Sequence, residues 1–340
     1  LDAATGETLK TYPDTEGTEE ILYHDGILLI VIRKVTETRL AAYKKWEELT
    51  AKTNSPIHLR DTRTPWVSGF RTAENKASKR MMALDPETGE TLWGLSEDDC
   101  AGLKSLSLRA VGNRVYCEMK NRLYCLDLKS GETLWERQSS PLRTVTADAV
   151  VCVDKDTITM RNPEDGSVRW TQDVTLASIR DVLIAGGTLW LGGGRPYDTG
   201  NAKHTGPLWG PYFAIGRDLK TGEIIKEITS DNPKHHHRCY ENKATDQFIL
   251  GGRRGTEFLD LESGDYLWHS WARGTCRYGV MPCNGMLYVP PHACGCYITV
   301  KLMGFNALAP ERVASHADEM ISSLPTLERG PAFDDVVAAD

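Results

Sequence analysis

Residues 83–93 read A-L-D-P-E-T-G-E-T-L-W, and related copies stand at 1–10, 125–135, 160–170, 216–226 and 258–268. Each copy runs from an apolar residue to Asp or Asn, across two variable positions and a small or acidic one, to Gly, and then into a strand. Four of the strands close on Trp, and two close on Lys10 and Lys226. The pattern describes a β-turn between strands, in which the Asp side chain accepts hydrogen bonds from the turn backbone and Gly takes the positive φ. The motif glycines Gly6, Gly89, Gly131, Gly166, Gly222 and Gly264 are separated by 83, 42, 35, 56 and 42 residues. A period near 42 with several short strands per unit is the signature of a β-propeller with one four-stranded blade per repeat. The expected fold class is therefore all-β, a β-propeller of four-stranded blades with about seven repeats in this chain, an eighth lying either upstream or in the long first gap.

The same phase fixes the boundaries. The propeller is expected over 1–312, with a decayed copy of the motif at 301–308, while 313–340 lack strand alternation and read as a linker or tail toward a further domain. Leu1 falls inside a motif, so the propeller is read as N-terminally incomplete and the chain as a piece of something longer. The long first gap contains a hairpin at 21–33 and a stretch at 39–52 with helical spacing. No Asp-x-x-x-Gly turn occurs there, which favours one blade carrying an insertion over about 34–80 rather than a hidden blade.

Composition bounds the partners. The 340 residues carry 40 basic and 47 acidic side chains, a formal net charge of −7, without a long basic run. That disfavours nucleic acid and anionic membrane surfaces. The longest purely apolar run, 27–32, is six residues and too short to span a bilayer. Nine cysteines in 340 residues are not a disulfide-scaffold density, yet five of them, Cys239, Cys276, Cys283, Cys294 and Cys296, fall within one stretch.

In a propeller, the connections from second to third strand and from blade to blade emerge on one face. The segments 34–80, 194–210, 231–239 and 290–296 all belong to that face, where a scaffold mounts its function. It gathers His235, His236, His237 and Cys239 before one inner strand, Cys276 before the next, and His292, Cys294 and Cys296 in a neighbouring loop. Cys283 falls in a turn on the opposite face. Thiolates with imidazoles are the donor set for zinc or copper(I). Neither H-H-H nor C-G-C has a standard zinc-site spacing, and a disulfide between adjacent blades or unrelated buried thiols and solvated histidines remain alternatives. Arg253, Arg254 and Lys243 are candidates for binding an anionic substrate or a glycan carboxylate, against a reading as solvated charges. Tyr197, Trp209 and Trp66 on the long loops are suited either to stacking on sugars or to packing the loops down.

The copies at 83–93 and 125–135 resemble the tryptophan-docking repeat of the pyrroloquinoline-quinone-like, or quinoprotein alcohol dehydrogenase-like, propellers. The resemblance covers roughly 1–310. It implies an eight-bladed propeller, with seven blades as the alternative, in which Trp93, Trp135, Trp170 and Trp268 pack between neighbouring blades, with weaker docking at Lys10 and Lys226. The stretch from His236 to Pro310 is similar to large multidomain bacterial proteins in which the propeller accompanies a methyltransferase-like region, and no glycine-rich methyltransferase loop is visible here. Quinone-using relatives carry adjacent cysteines, an acidic base and calcium. This sequence has no Cys-Cys pair, which argues against pyrroloquinoline quinone as a cofactor. The functional expectation is a binding or structural module of a larger, periplasmic or otherwise exported, multidomain protein, contacting its other domains or an assembly. The alternative is an enzyme acting on a small or carbohydrate substrate, metal-dependent in the first place and quinone-dependent in the second.

Overall fold

The computed structural model describes residues 5–34, 78–104, 107–138, 141–198, 209–230, 240–253, 255–274, 278–291 and 304–310, with isolated positions between them. Those residues form 23 strands in two compact units, Leu1–Thr175 and Leu176–Asp340. Unit one holds three antiparallel sheets. The first comprises β1 (Thr18–His24), β2 (Ile27–Arg33), β3 (Lys79–Leu84) and β4 (Thr91–Leu95); the second β5 (Arg109–Val111), β6 (Arg114–Met119), β7 (Arg122–Asp127) and β8 (Thr133–Gln138); the third β9 (Leu142–Val145), β10 (Val150–Val153), β11 (Thr157–Arg161) and β12 (Val168–Asp173). Unit two continues with β13 (Ser178–Ala185), β14 (Thr188–Gly194), β15 (Phe213–Asp218) and β16 (Ile224–Thr229), then β17 (Lys243–Ala244), β18 (Phe248–Gly251), β19 (Thr256–Asp260) and β20 (Tyr266–His269). Its last sheet has three described strands, β21 (Met281–Cys283), β22 (Met286–Val289) and β23 (Asn306–Leu308). Every sheet is a meander whose strands pair in sequence order, as blades of a propeller do.

The motif does what its residues dictate. At 85–90, Asp85 Oδ1 accepts from the amides of Glu87 and Thr88 at 2.8 Å each, and Gly89 N donates back to Asp85 O at 2.8 Å. Asp127, Asp218 and Asp260 repeat this arrangement, and all six motif glycines sit at φ between +70° and +81°. At Gly131 the turn has a second reason for Gly, because an added Cβ would lie 2.5 Å from Trp93 Cδ2. The indole of Trp93 lies against this turn and donates through Nε1 to Leu128 O at 2.9 Å; Trp135 does the same to Pro163 O, over Gly166.

Where Lys replaces Trp, the same turn is still engaged. Lys10 Nζ donates to Glu87 O beside Gly89, joined by Tyr12 OH to Pro86 O at 2.9 Å, and Lys226 Nζ donates to Glu262 O. Trp268 departs from the expectation that it packs between blades, for it is 45% exposed. The strand that follows it in the next sheet runs into Ala309 and Pro310, so no Asp-x-x-x-Gly turn is there to receive the ring.

The middle strands are the core. β2, β6 and β10 are buried along nearly their whole length, and clusters form around Leu29, Met81, Val115 and Leu126 in unit one and around Trp190, Ala214 and Ile249 in unit two. β2 pairs directly with β3, Arg33 opposite Lys79, so the long segment between them is an insertion within one blade. At its start Leu40 N bonds Thr36 O at 3.0 Å, and the described positions Leu40, Ala41, Lys44, Lys45 and Glu48 are helical. The remainder of the 39–52 stretch and the tail at 311–340 lie outside the described residues.

Candidate functional site

His235, His236, His237, Cys239, Cys276, His292, Cys294, Cys296 and Arg254 all lie outside the described residues. What the structure supplies is the frame that carries them. In the sequence the first group precedes β17 and Cys276 precedes β21, and these two inner strands are neighbours in unit two. Lys243 opens β17 opposite Leu250. Arg253 sits in the connection from β18 to β19, on the expected face, but it is only 2% exposed and its guanidinium is turned inward. Nη1 donates to Gly210 O at 3.1 Å, Nη2 to Ser230 Oγ at 2.8 Å, and Nε lies 3.6 Å from Glu257 Oε1.

Around Arg253 the structure assembles a buried polar network that sequence reading missed. Glu257 Oε2 accepts from Arg253 N at 3.1 Å and Oε1 from Tyr266 OH at 2.6 Å. Ser230 Oγ also accepts from Tyr212 N. Tyr212 OH donates to Asp181 Oδ2 at 2.8 Å, and Asp181 takes two further bonds from the next blade, from Asn242 N at 2.8 Å and Asn242 Nδ2 at 3.0 Å. Gly192 is obligatory beneath this contact, since a Cβ there would meet Tyr212 Oη at 1.7 Å. Burial pushes the Asp181 carboxyl up to about 6, against the pull of the Tyr212 and Asn242 donors. The one sequence signal was an Asp at 181 heading the apolar run V-L-I-A of one strand, a polar group that a strand buries only with partners.

Asp181 is one instance of a recurring device. Glu20 Oε1, on β1, accepts from Leu108 N at 3.2 Å, and Glu118 Oε1, on β6, accepts from Leu142 N at 2.8 Å. In each case a carboxylate of one blade holds the amide at or just ahead of the next blade's inner strand. Charge-assisted bonds to backbone N–H groups are short and strong when buried, and they fix where the neighbouring strand begins. The network is therefore a tie between blades, and it holds the strand that the His/Cys stretch feeds. Among the described residues no group of three or more His, Cys, Asp or Glu is arranged to hold a metal ion.

Meandering four-stranded sheets closed by Asp-x-x-x-Gly turns define a quinoprotein-like repeat β-propeller. The family model described as outer membrane protein assembly factor BamB matches residues 1–147 and 119–209, and the chain belongs to that pyrroloquinoline-quinone-like repeat family. No curated protein matches the chain. Among solved structures, the computationally designed Ika8 protein is 10% identical with a TM-score of 0.52, covering 86% of this chain and 71% of that one. BamB from Moraxella catarrhalis is 15% identical with a TM-score of 0.42, covering 68% and 73%. Quinohemoprotein alcohol dehydrogenase from Comamonas testosteroni is 14% identical with a TM-score of 0.41, covering 63% and 49%.

Proposed function

We propose that this chain is a protein-binding module of a larger exported, periplasmic assembly, and that it engages its partner through the face bearing the second-to-third strand connections. One observation carries the reading. The segments 34–78, 195–212 and 290–305 all join a second strand to a third, so three of the six sheets place their elaboration at the same strand ends. Loops grouped at one end of a rigid sheet scaffold are the usual position of a recognition surface. Membership in a family described as an assembly factor supports the same reading, and among the described residues no helix is long and apolar enough to cross a membrane.

The His/Cys stretch is the finer part of the proposal. Cys239 precedes β17 by four positions and Cys276 precedes β21 by five, and adjacency of β17 and β21 supports a shared site for zinc or copper with donors drawn from His235–His237 and His292–Cys296. Pyrroloquinoline quinone is not part of the reading. Among the described residues of unit two, the buried carboxylates Asp181 and Glu257 are both bonded to internal donors, and neither is offered as a base.

A photo-crosslinking residue placed at exposed Lys34 should capture a partner from an extract of the source cell, whereas one placed at exposed Lys129, in a third-to-fourth strand turn, should not. Equal capture from both positions sinks the face assignment. Elemental analysis of the purified chain should find about one zinc or copper per molecule, and its absence removes the metal site while leaving the binding role standing.

A further inference from the structure

The connection from β16 to β17 begins at Ser230 and ends at Asn242, and these two residues face one small cavity in unit two. The cavity measures about 10 Å³, and Gly251, Arg253, Glu257 and Tyr266 share its wall. All the residues that line it are among the described ones. One water needs about 10–15 Å³ of such room and about two to four polar partners. The cavity therefore takes a single water and nothing larger.

The polar partners are present in the wall. Ser230, 1% exposed, accepts through Oγ from Tyr212 N at 3.2 Å and from Arg253 Nη2 at 2.8 Å. A hydroxyl also carries one donor, and among the described residues no acceptor takes that proton. Asn242 gives Asp181 its backbone N–H at 2.8 Å and an Nδ2 proton at 3.0 Å. Because an ionised carboxylate only accepts, the second bond fixes which way the amide is turned. Asn242 Oδ1 is left facing Gly251, and among the described residues no donor reaches it. Gly251 supplies the space. It does not take a positive φ, so its backbone does not ask for glycine. A Cβ built there would stand 2.8 Å from Glu257 Oε2 and 3.6 Å from Asn242 Oδ1. An O–H donor near that point reaches the first oxygen at hydrogen-bond length and the second after a small shift. Arg253 in the wall repels a cation and Glu257 repels an anion, which leaves a neutral molecule that both donates and accepts.

We propose that this cavity binds one ordered water, which donates to Glu257 Oε2 and Asn242 Oδ1 and accepts from the Ser230 hydroxyl. The water joins the Asp181 bonds and the Arg253 bonds into one network across the two sheets. It also clasps both ends of the connection in which His235–Cys239 lie, since Ser230 stands at its start and Asn242 at its finish. The water site stands whether or not that connection binds a metal.

The test is a crystal structure of the full chain at a resolution that shows individual waters. One density peak is expected within hydrogen-bond distance of both Glu257 Oε2 and Asn242 Oδ1. In Gly251→Ala the methyl group should stand in its place and the peak should vanish. The same variant should shift the unfolding equilibrium about tenfold toward the unfolded chain, because a methyl group replaces none of the water's bonds. Gly94→Ala on β4 is the control, since a Cβ there meets nothing nearer than Met81 O at 3.7 Å. It should shift the equilibrium the other way, by about two- to fivefold. The proposal falls if the unaltered cavity shows no peak, or if the peak is ringed by oxygens at metal-ligand distances. It falls too if Gly251→Ala retains the peak or if the two alanine variants shift the equilibrium alike. Should Gly251→Ala not fold, Ser230→Ala decides, for it removes one partner without filling the cavity. A peak weakened or lost in Ser230→Ala upholds the bridge, and an unchanged peak overturns it.

Discussion

Trp93 and Trp268 occupy the same place in the repeat and meet different fates. Trp93 is buried against Gly131 with its indole N–H satisfied, whereas Trp268 is 45% exposed beside a repeat lacking the turn. Trp93→Ala should therefore cost about 3–5 kcal/mol in denaturant unfolding, the range for emptying a large buried aromatic site, and Trp268→Ala should cost less than about 1 kcal/mol. Equal losses would mean that burial does not govern these positions.

Asp181 makes an opposite kind of demand. Its folded pKa of about 6 stands above the ordinary 3.8, so its ionised form opposes folding. The stability linked to its protonation is present in full below about pH 3.8 and is lost as pH rises through about 6. The span corresponds to roughly 3 kcal/mol at 1.36 kcal/mol per pKa unit. Asp181→Asn should flatten the stability profile between those values, and a profile that keeps its slope there would locate the effect elsewhere. The turn aspartates act in the other sense. The Thr88 amide holds Asp85, and the Ser130, Thr221 and Ser263 amides hold Asp127, Asp218 and Asp260, below the usual carboxylate range. Their contribution is present above the ordinary pKa and disappears as pH falls through the lowered values, so acid unfolding should set in below about pH 3.8.

At the scale of elements, the fourth strand is the variable part of each sheet. Its outer residue docks as Trp in β4 and β8 and as Lys in β16, and the Lys226 ammonium retains a bond to the neighbouring turn. Lys226→Met should lose that bond while keeping the stem, at a cost of about 0.5–1.5 kcal/mol measured by urea unfolding. No change would show that the stem alone does the packing. The strand meander and the positions of the turns were legible beforehand, because Gly and Asp at fixed spacing impose local backbone geometry wherever they occur. The carboxylate ties from Glu20, Glu118 and Asp181 were not, because each partner is a backbone amide in another repeat and leaves no mark on the sequence.

At the scale of the whole molecule, the described cysteines divide into two populations. Cys100, Cys117, Cys125 and Cys152 are buried free thiols in unit one. Burial raises all four thiols, Cys100 and Cys152 to about 11 and Cys125 to about 12. Cys283 is free and exposed. In the native protein a thiol reagent mapped by mass spectrometry should modify Cys283 and spare those four until denaturant is added. Rapid native labelling of Cys117 would contradict the packing around β6. Under denaturing, non-reducing conditions, titration of all nine cysteines as free would dispose of the disulfide alternative for the 239–296 stretch.

By itself the sequence determined the blade, its turns and their phase along the chain. These follow from short-range chemistry repeated at a regular spacing: a carboxylate reaching amides two and three residues on, and a glycine at positive φ. Only the tertiary structure decided that Arg253 faces inward to Glu257, that Asp181 ties two blades together, and that Trp268 stays exposed. Each of these depends on which residue from a distant repeat arrives at the same place, and that is fixed by packing between sheets rather than by the residues beside it in the chain.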